Sequence, residues 1–130
     1  MTILCYDVII SMKDIDLRYC RNGGGVSLDG KERGPLTEPM YYILMSFLRR
    51  EMCGTEISGF VEEKTGGRVR LGPGTLYTLL GKFEEEKLIE ETQVEGRKRT
   101  YRLTEKGRRV YLDELERLKT CVRDGEEALL

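Results

Sequence analysis

Two stretches of this sequence carry side chains suited to the surface of a duplex nucleic acid. In the first, Thr75, Thr78 and Lys82 recur at helical spacing, with Tyr77 on the flank of the same face. Small hydroxyl side chains there let a helix approach base edges closely, and the Lys82 ammonium reaches a phosphate one or two turns further on. Backbone N–H groups at Gly74-Thr75-Leu76 point from the start of that helix and can also hold a phosphate. In the second stretch, Gly96-Arg97-Lys98-Arg99 reads as a tight turn tipped with three cations. Such a turn suits phosphates beside a groove, or an Arg reaching into the minor groove. The plainer alternative is an exposed surface helix in an ordinary α domain, next to a solvated run of charge.

Other chemistries find little support. Histidine is absent from the 130 residues, which removes His-dependent triads, imidazole metal sites and His proton shuttles. Cys5, Cys20, Cys53 and Cys121 are widely separated and form no CxxC pair, so neither a zinc knuckle nor a dithiol redox motif is expected. Glu84-Glu85-Glu86 point to different sides of a helix and make no paired-carboxylate site. With no nucleophile–base pair and no metal cluster, an enzyme is not expected, nor is a cofactor or a catalytic residue.

Length and composition fit one compact domain. Charged residues make up 35% and hydrophobic ones 39%, and 22 Lys+Arg balance 23 Asp+Glu for a net charge of −1. No apolar run approaches the roughly 20 residues of a membrane span. The opening MTILCYDVIISMKDIDLRYC has no basic leader region, and Asp7 breaks its apolar stretch. Reduced, scattered thiols in a cytoplasmic protein are therefore expected, with oxidant sensing by Cys53 or Cys121 an open alternative.

The elements that must position the two stretches follow from periodicity. Residues 1–33 hold Asn22-Gly23-Gly24-Gly25, Asp29-Gly30 and Arg33-Gly34, turn and linker signals that predict a poorly ordered extension. A mis-assigned start is an alternative there, with native translation beginning at a codon such as Val26 or Met40. From Leu36 the pattern turns helical: Met40, Ile43, Leu44, Phe47 and Leu48 form one apolar face, Thr37 is the expected N-cap, and Gly54 the expected stop. A second helix capped by Thr55 buries Ile57, Phe60 and Val61 and ends at Thr65-Gly66-Gly67. Arg68-Val69-Arg70-Leu71 alternates as a very short strand would. The third helix starts near Thr75 and buries Leu76, Leu79, Leu80 and Phe83.

After Leu88-Ile89 the period falls towards 2, predicting strands over Glu90–Val94 and Arg99–Leu103 around a Gly-containing turn. Thr104 caps a last helix in which Tyr111, Leu115, Leu118 and Val122 form a heptad-like seam, with Gly125 closing it. The predicted fold is mainly α with a small two-stranded antiparallel wing: a winged helix-turn-helix over 34–104, a C-terminal dimerisation helix over 105–124 and a frayed tail over 125–130. Charge is segregated along this order. Residues 84–95 sum to −5, and residues 96–109 to +6, so the balanced total conceals an acidic segment followed by a basic one. A basic wing after a helix with a polar, reachable face favours duplex binding.

Gly54-Thr55-Glu56-Ile57, Gly72-Pro73-Gly74-Thr75-Leu76-Tyr77, the run from Leu79 to Ile89, and Gly96 to Arg108 with its Tyr101-x-Leu103-Thr104-x-x-Gly107 portion resemble the PadR family of bacterial transcriptional regulators. The resemblance spans about residues 34–110. It implies a homodimeric repressor on an inverted-repeat operator in double-stranded DNA, with Thr75, Tyr77 and Lys82 facing DNA and the wing tip on backbone or minor groove. It also implies a last helix that crosses to the other protomer, and release of DNA by a small aromatic or cationic effector at the dimer interface. Two departures stand out. Gly81 occupies a position where a larger polar residue is common, and the chain has no Trp, so an aromatic sandwich must use Tyr41, Tyr42 or Tyr111.

The dimer has independent support, because Tyr111, Leu112, Leu115, Leu118 and Val122 extend an apolar seam beyond what a lone winged helix needs. Packing back on the first helix of the same chain is the alternative. Among function classes, a sequence-specific DNA-binding regulator leads. A winged-helix module that binds protein without specific DNA binding comes second, and a small enzyme last.

Overall fold

The computed structural model describes residues 34–130, so the predicted N-terminal extension, with Cys5 and Cys20, lies outside the described residues. The element order is α1 (Glu38–Ser46), β1 (Met52–Cys53), α2 (Gly54–Lys64), α3 (Pro73–Glu85), β2 (Ile89–Glu95), β3 (Lys98–Leu103) and α4 (Glu105–Ala128). Four helices thus surround a three-stranded antiparallel sheet of order β1-β3-β2. The third strand is an addition to the expected two-stranded wing. Met52 pairs with Tyr101 and Cys53 with Thr100, which ties the corner between α1 and α2 to the inner strand of the wing.

Several boundaries move for identifiable reasons. The first helix ends at Ser46, not near Gly54: its last N–H groups, on Phe47 and Leu48, bond to Leu44 and Met45 in tightened i→i+3 fashion, and the Ser46 hydroxyl donates back to Ile43 O at 2.6 Å. Phe47 remains buried although it has left the helix, so the apolar spacing outlasts the helix that it predicts. Gly54 then opens α2 rather than stopping α1, and the cap is Cys53, not Thr55. The Cys53 N–H donates to Glu56 Oε2 at 2.9 Å, and Arg50 donates to the same carboxylate at 3.2 Å. The backbone N–H first, and Arg50 second, hold the Glu56 carboxyl below the usual carboxylate range.

Both helices of the central pair end in Schellman motifs. At α2, Gly66 and Gly67 take φ of +60° and +81° while Gly67 N–H reaches Glu62 O at 2.8 Å. At α3 the same geometry is built with Lys87 at φ +59° and Leu88 N–H on Phe83 O at 2.8 Å. A lysine in the left-handed region gives no local sequence signal for a stop. Arg68–Leu71 is a loop and not a strand: the Thr65 hydroxyl accepts the Val69 N–H at 3.1 Å and leaves no ladder to join. The core holds Ile43 and Leu44 of α1, Ile57 and Val61 of α2, Leu80 and Phe83 of α3, and Leu88 and Ile89 where the wing begins. The last helix runs 24 residues and passes through Gly125 to Ala128, so Gly125 does not close it. None of the helices among the described residues is long and apolar enough to cross a membrane.

Candidate nucleic-acid interface

Gly72 caps α3 and Pro73 occupies its first turn, where a missing N–H is harmless. From that start, Leu76, Leu80 and Phe83 turn inward and are buried. The same periodicity leaves Gly74, Thr75, Tyr77, Thr78 and Lys82 exposed, so the structure brings all five to the outside of one helix. The Thr78 hydroxyl donates to Gly74 O at 2.8 Å, which commits its proton and leaves its lone pairs and methyl group outward. Lys82 has no ion partner among the described residues. Tyr77 is 51% exposed, and its phenol lies across the first residue of α2, where a Cβ on Gly54 would meet its Oη at 2.9 Å.

The wing tip is a two-residue turn. Glu95 pairs with Lys98, and Gly96 sits at φ +61° in the first turn position, the II′ pattern that matches strand twist. Arg97, Lys98 and Arg99 are all exposed. Their electrostatics differ, however. Arg99 Nη1 lies 3.6 Å from Glu91 Oε2, and Arg102 pairs with Glu90, so the hairpin register folds part of the acidic segment onto the basic one. Arg97 and Lys98 have no ion partner among the described residues. The usable positive charge is therefore concentrated at the tip and is smaller than the +6 of the segment.

The root of the wing is built from contacts that motif reading alone does not interpret. The Thr104 hydroxyl lies 2.7 Å from Lys87 O and 2.9 Å from Leu88 O, and accepts the Gly107 N–H at 3.0 Å. Its own N–H donates to Leu88 O at 2.9 Å. A Cβ on Gly107 would fall 2.1 Å from Leu88 O, so only glycine admits the first turn of α4 to this position. Thr104 and Gly107 thus fix where the hairpin leaves the body.

The seam residues of α4 divide. Tyr111 is buried in the core of its own chain, stacked on Tyr41 with ring centroids 5.1 Å apart, and the Tyr41 hydroxyl donates to Tyr111 Oη at 3.4 Å. Burial first, and that hydrogen bond second, push the Tyr41 phenol well above its ordinary range. Leu112, Leu115 and Leu118 are half-buried, whereas Val122 is 59% exposed. Beside them lies a cleft of about 370 Å³ lined by Leu36, Glu38, Tyr41, Tyr42, Glu114 and Leu118. The Glu114 carboxylate is buried there and ion-paired with Arg117. Cys53 is a buried free thiol and Cys121 an exposed one.

A neutral, close-approach helix face flanked by two unpaired cations is geometry for a groove and its phosphates, not for bond-breaking chemistry. The comparisons agree with that geometry. The model of the transcriptional regulator PadR-like family matches residues 43–113. No curated relative matches this chain. Among solved structures, a transcriptional regulator from Clostridium thermocellum is similar at 24% identity and a TM-score of 0.61, over 68% of this chain and 89% of its own. A PadR family transcription regulator from Clostridium difficile, at 17% identity and a TM-score of 0.62, covers 72% of this chain and 100% of its own. Both likenesses speak for the fold. Bacillus subtilis PadR in complex with operator DNA is 26% identical with a TM-score of 0.52, over 58% of this chain and 45% of that longer one. With more than half of its length inside the family match, the chain belongs to the PadR-like family of transcriptional regulators.

Proposed function

We propose that this regulator is a sequence-specific DNA-binding repressor that acts as a homodimer on an inverted repeat and lets go of DNA when a small aromatic or cationic effector binds. One observation carries the DNA-binding part: Gly74, Thr75, Tyr77, Thr78 and Lys82 share the exposed side of α3, next to a wing tip whose Arg97 and Lys98 lack ion partners among the described residues. Thr75 and Thr78 enter the major groove, where the Thr78 methyl and lone pairs face thymine methyls and base amino groups. Lys82 and the start of α3 at Gly74 hold phosphates on one side, and Arg97, Lys98 and Arg99 hold them on the other. The exposed Val122 and half-buried Leu112, Leu115 and Leu118 support pairing with a second copy, while Tyr111 supports it from beneath by setting α4 on α1. The tyrosines and the buried Glu114 carboxylate beside the cleft suit a flat cation.

Titration of a duplex that the protein selects from a random-sequence pool, at two salt concentrations, tests this. Specific binding that weakens steeply with salt is expected. Lys82→Ala should weaken binding on every sequence, and Thr78→Ala should alter sequence preference. Binding indifferent to salt and sequence would instead favour a protein-interaction module. Leu115→Glu should yield a monomer by sedimentation, because it sets an unpaired charge in the seam.

A further inference from the structure

Gly54 and Tyr77 come from different helices of the helix-turn-helix and meet at close range. Gly54 is buried at the first position of α2, and the Tyr77 phenol covers it. An added Cβ would lie 2.9 Å from Tyr77 Oη, 3.3 Å from Cζ and 3.5 Å from Cε1, so the ring as placed excludes any side chain at residue 54. Gly54 has no positive φ, so its backbone conformation does not demand glycine. What demands it is the phenol. The hydroxyl that this packing holds is itself uncommitted, with no hydrogen-bond partner among the described residues, and half of the side chain stays open to solvent.

We infer that Gly54 is a positioning residue for DNA recognition: it forms a flat seat that fixes the Tyr77 hydroxyl before DNA arrives. This rests on the DNA-binding reading above. A phenol already held by its face loses little rotational freedom on meeting a phosphate, and part of the affinity comes from that saving. The obstructing atom is the far end of a side chain, not backbone, so Gly54→Ala has an easy relaxation: the ring swings away and the fold persists. The outcome is a folded protein with a displaced tyrosine.

The test uses the full chain and the selected duplex described above, labelled for fluorescence anisotropy, with four proteins: wild type, Gly54→Ala, Tyr77→Ala and the double variant. A thermal melt and the Tyr77 ring signals in 1H–13C NMR of the free protein are recorded alongside. The expected result is a Gly54→Ala protein that melts with the wild type, has moved Tyr77 ring signals, and binds roughly threefold to tenfold more weakly. In the Tyr77→Ala background the same substitution should have no further effect on affinity. An equal loss in both backgrounds, or unmoved ring signals, overturns the positioning role while leaving DNA binding intact. A wild-type chain that selects no duplex overturns the DNA-binding reading, and this role with it.

Discussion

The root and the tip of the wing are parts of one hairpin, yet they are built on opposite terms. At the root, Leu88 and Ile89 are buried, Thr104 binds two carbonyls and an N–H, and Gly107 leaves no room for a methyl group. At the tip, Arg97 and Lys98 stand in solvent with no ion partners among the described residues. The root spends its residues on direction and the tip on contact. Substitutions at the root should therefore act on stability, and those at the tip on DNA affinity alone.

Gly107→Ala should do the most damage. Its Cβ meets a backbone oxygen at 2.1 Å, so either α4 or the end of α3 must move. A destabilisation of about 3 kcal/mol or more in urea unfolding is expected, and a change below about 1 kcal/mol would show that the root yields easily. Thr104→Ala comes next, at about 1–2 kcal/mol, through loss of the N-cap and of the bond to the α3 end. Lys87→Gly at the same root should act in the other direction. It relieves a left-handed lysine and should stabilise by about 1 kcal/mol, read from the same denaturation curves. Arg97→Ala should leave the unfolding midpoint unmoved and reduce the slope of log affinity against log salt by about 1. If Arg97→Ala destabilises the fold, or Thr104→Ala reduces affinity without touching stability, the division between root and tip fails.

Residues that repeat at helical spacing were the most legible part of the chain. Leu76, Leu80 and Phe83 point inward in α3, and the outer face follows from them by subtraction. Less legible were features settled by partners distant in sequence. The pair Met52-Cys53 is too short to carry a strand pattern and becomes one only because Tyr101 and Thr100 accept it. Alternation over Arg68–Leu71 imitates a strand, but the Thr65 hydroxyl claims the Val69 N–H first. The segregation of charge between residues 84–95 and 96–109 is real along the chain. Across the hairpin it is partly cancelled, because register sets Glu90 against Arg102 and Glu91 near Arg99. Gly125 failed as a stop because a glycine within a helix lowers its propensity by roughly 1 kcal/mol and does not by itself break it. Tyr111 keeps the spacing of a seam residue, yet Tyr41 of the same chain takes it up.

The Leu88 carbonyl has a mechanical consequence. It lies where α3 gives way to the wing, takes the Thr104 N–H, and touches Gly107 in the first turn of α4. One peptide unit thus pins the reading helix, the hairpin and the long terminal helix together, and close-packed matter of this kind does not stretch. A swivel of the terminal helix must carry the far end of the reading helix with it, so the pitch at which α3 meets a groove is set from outside the helix itself.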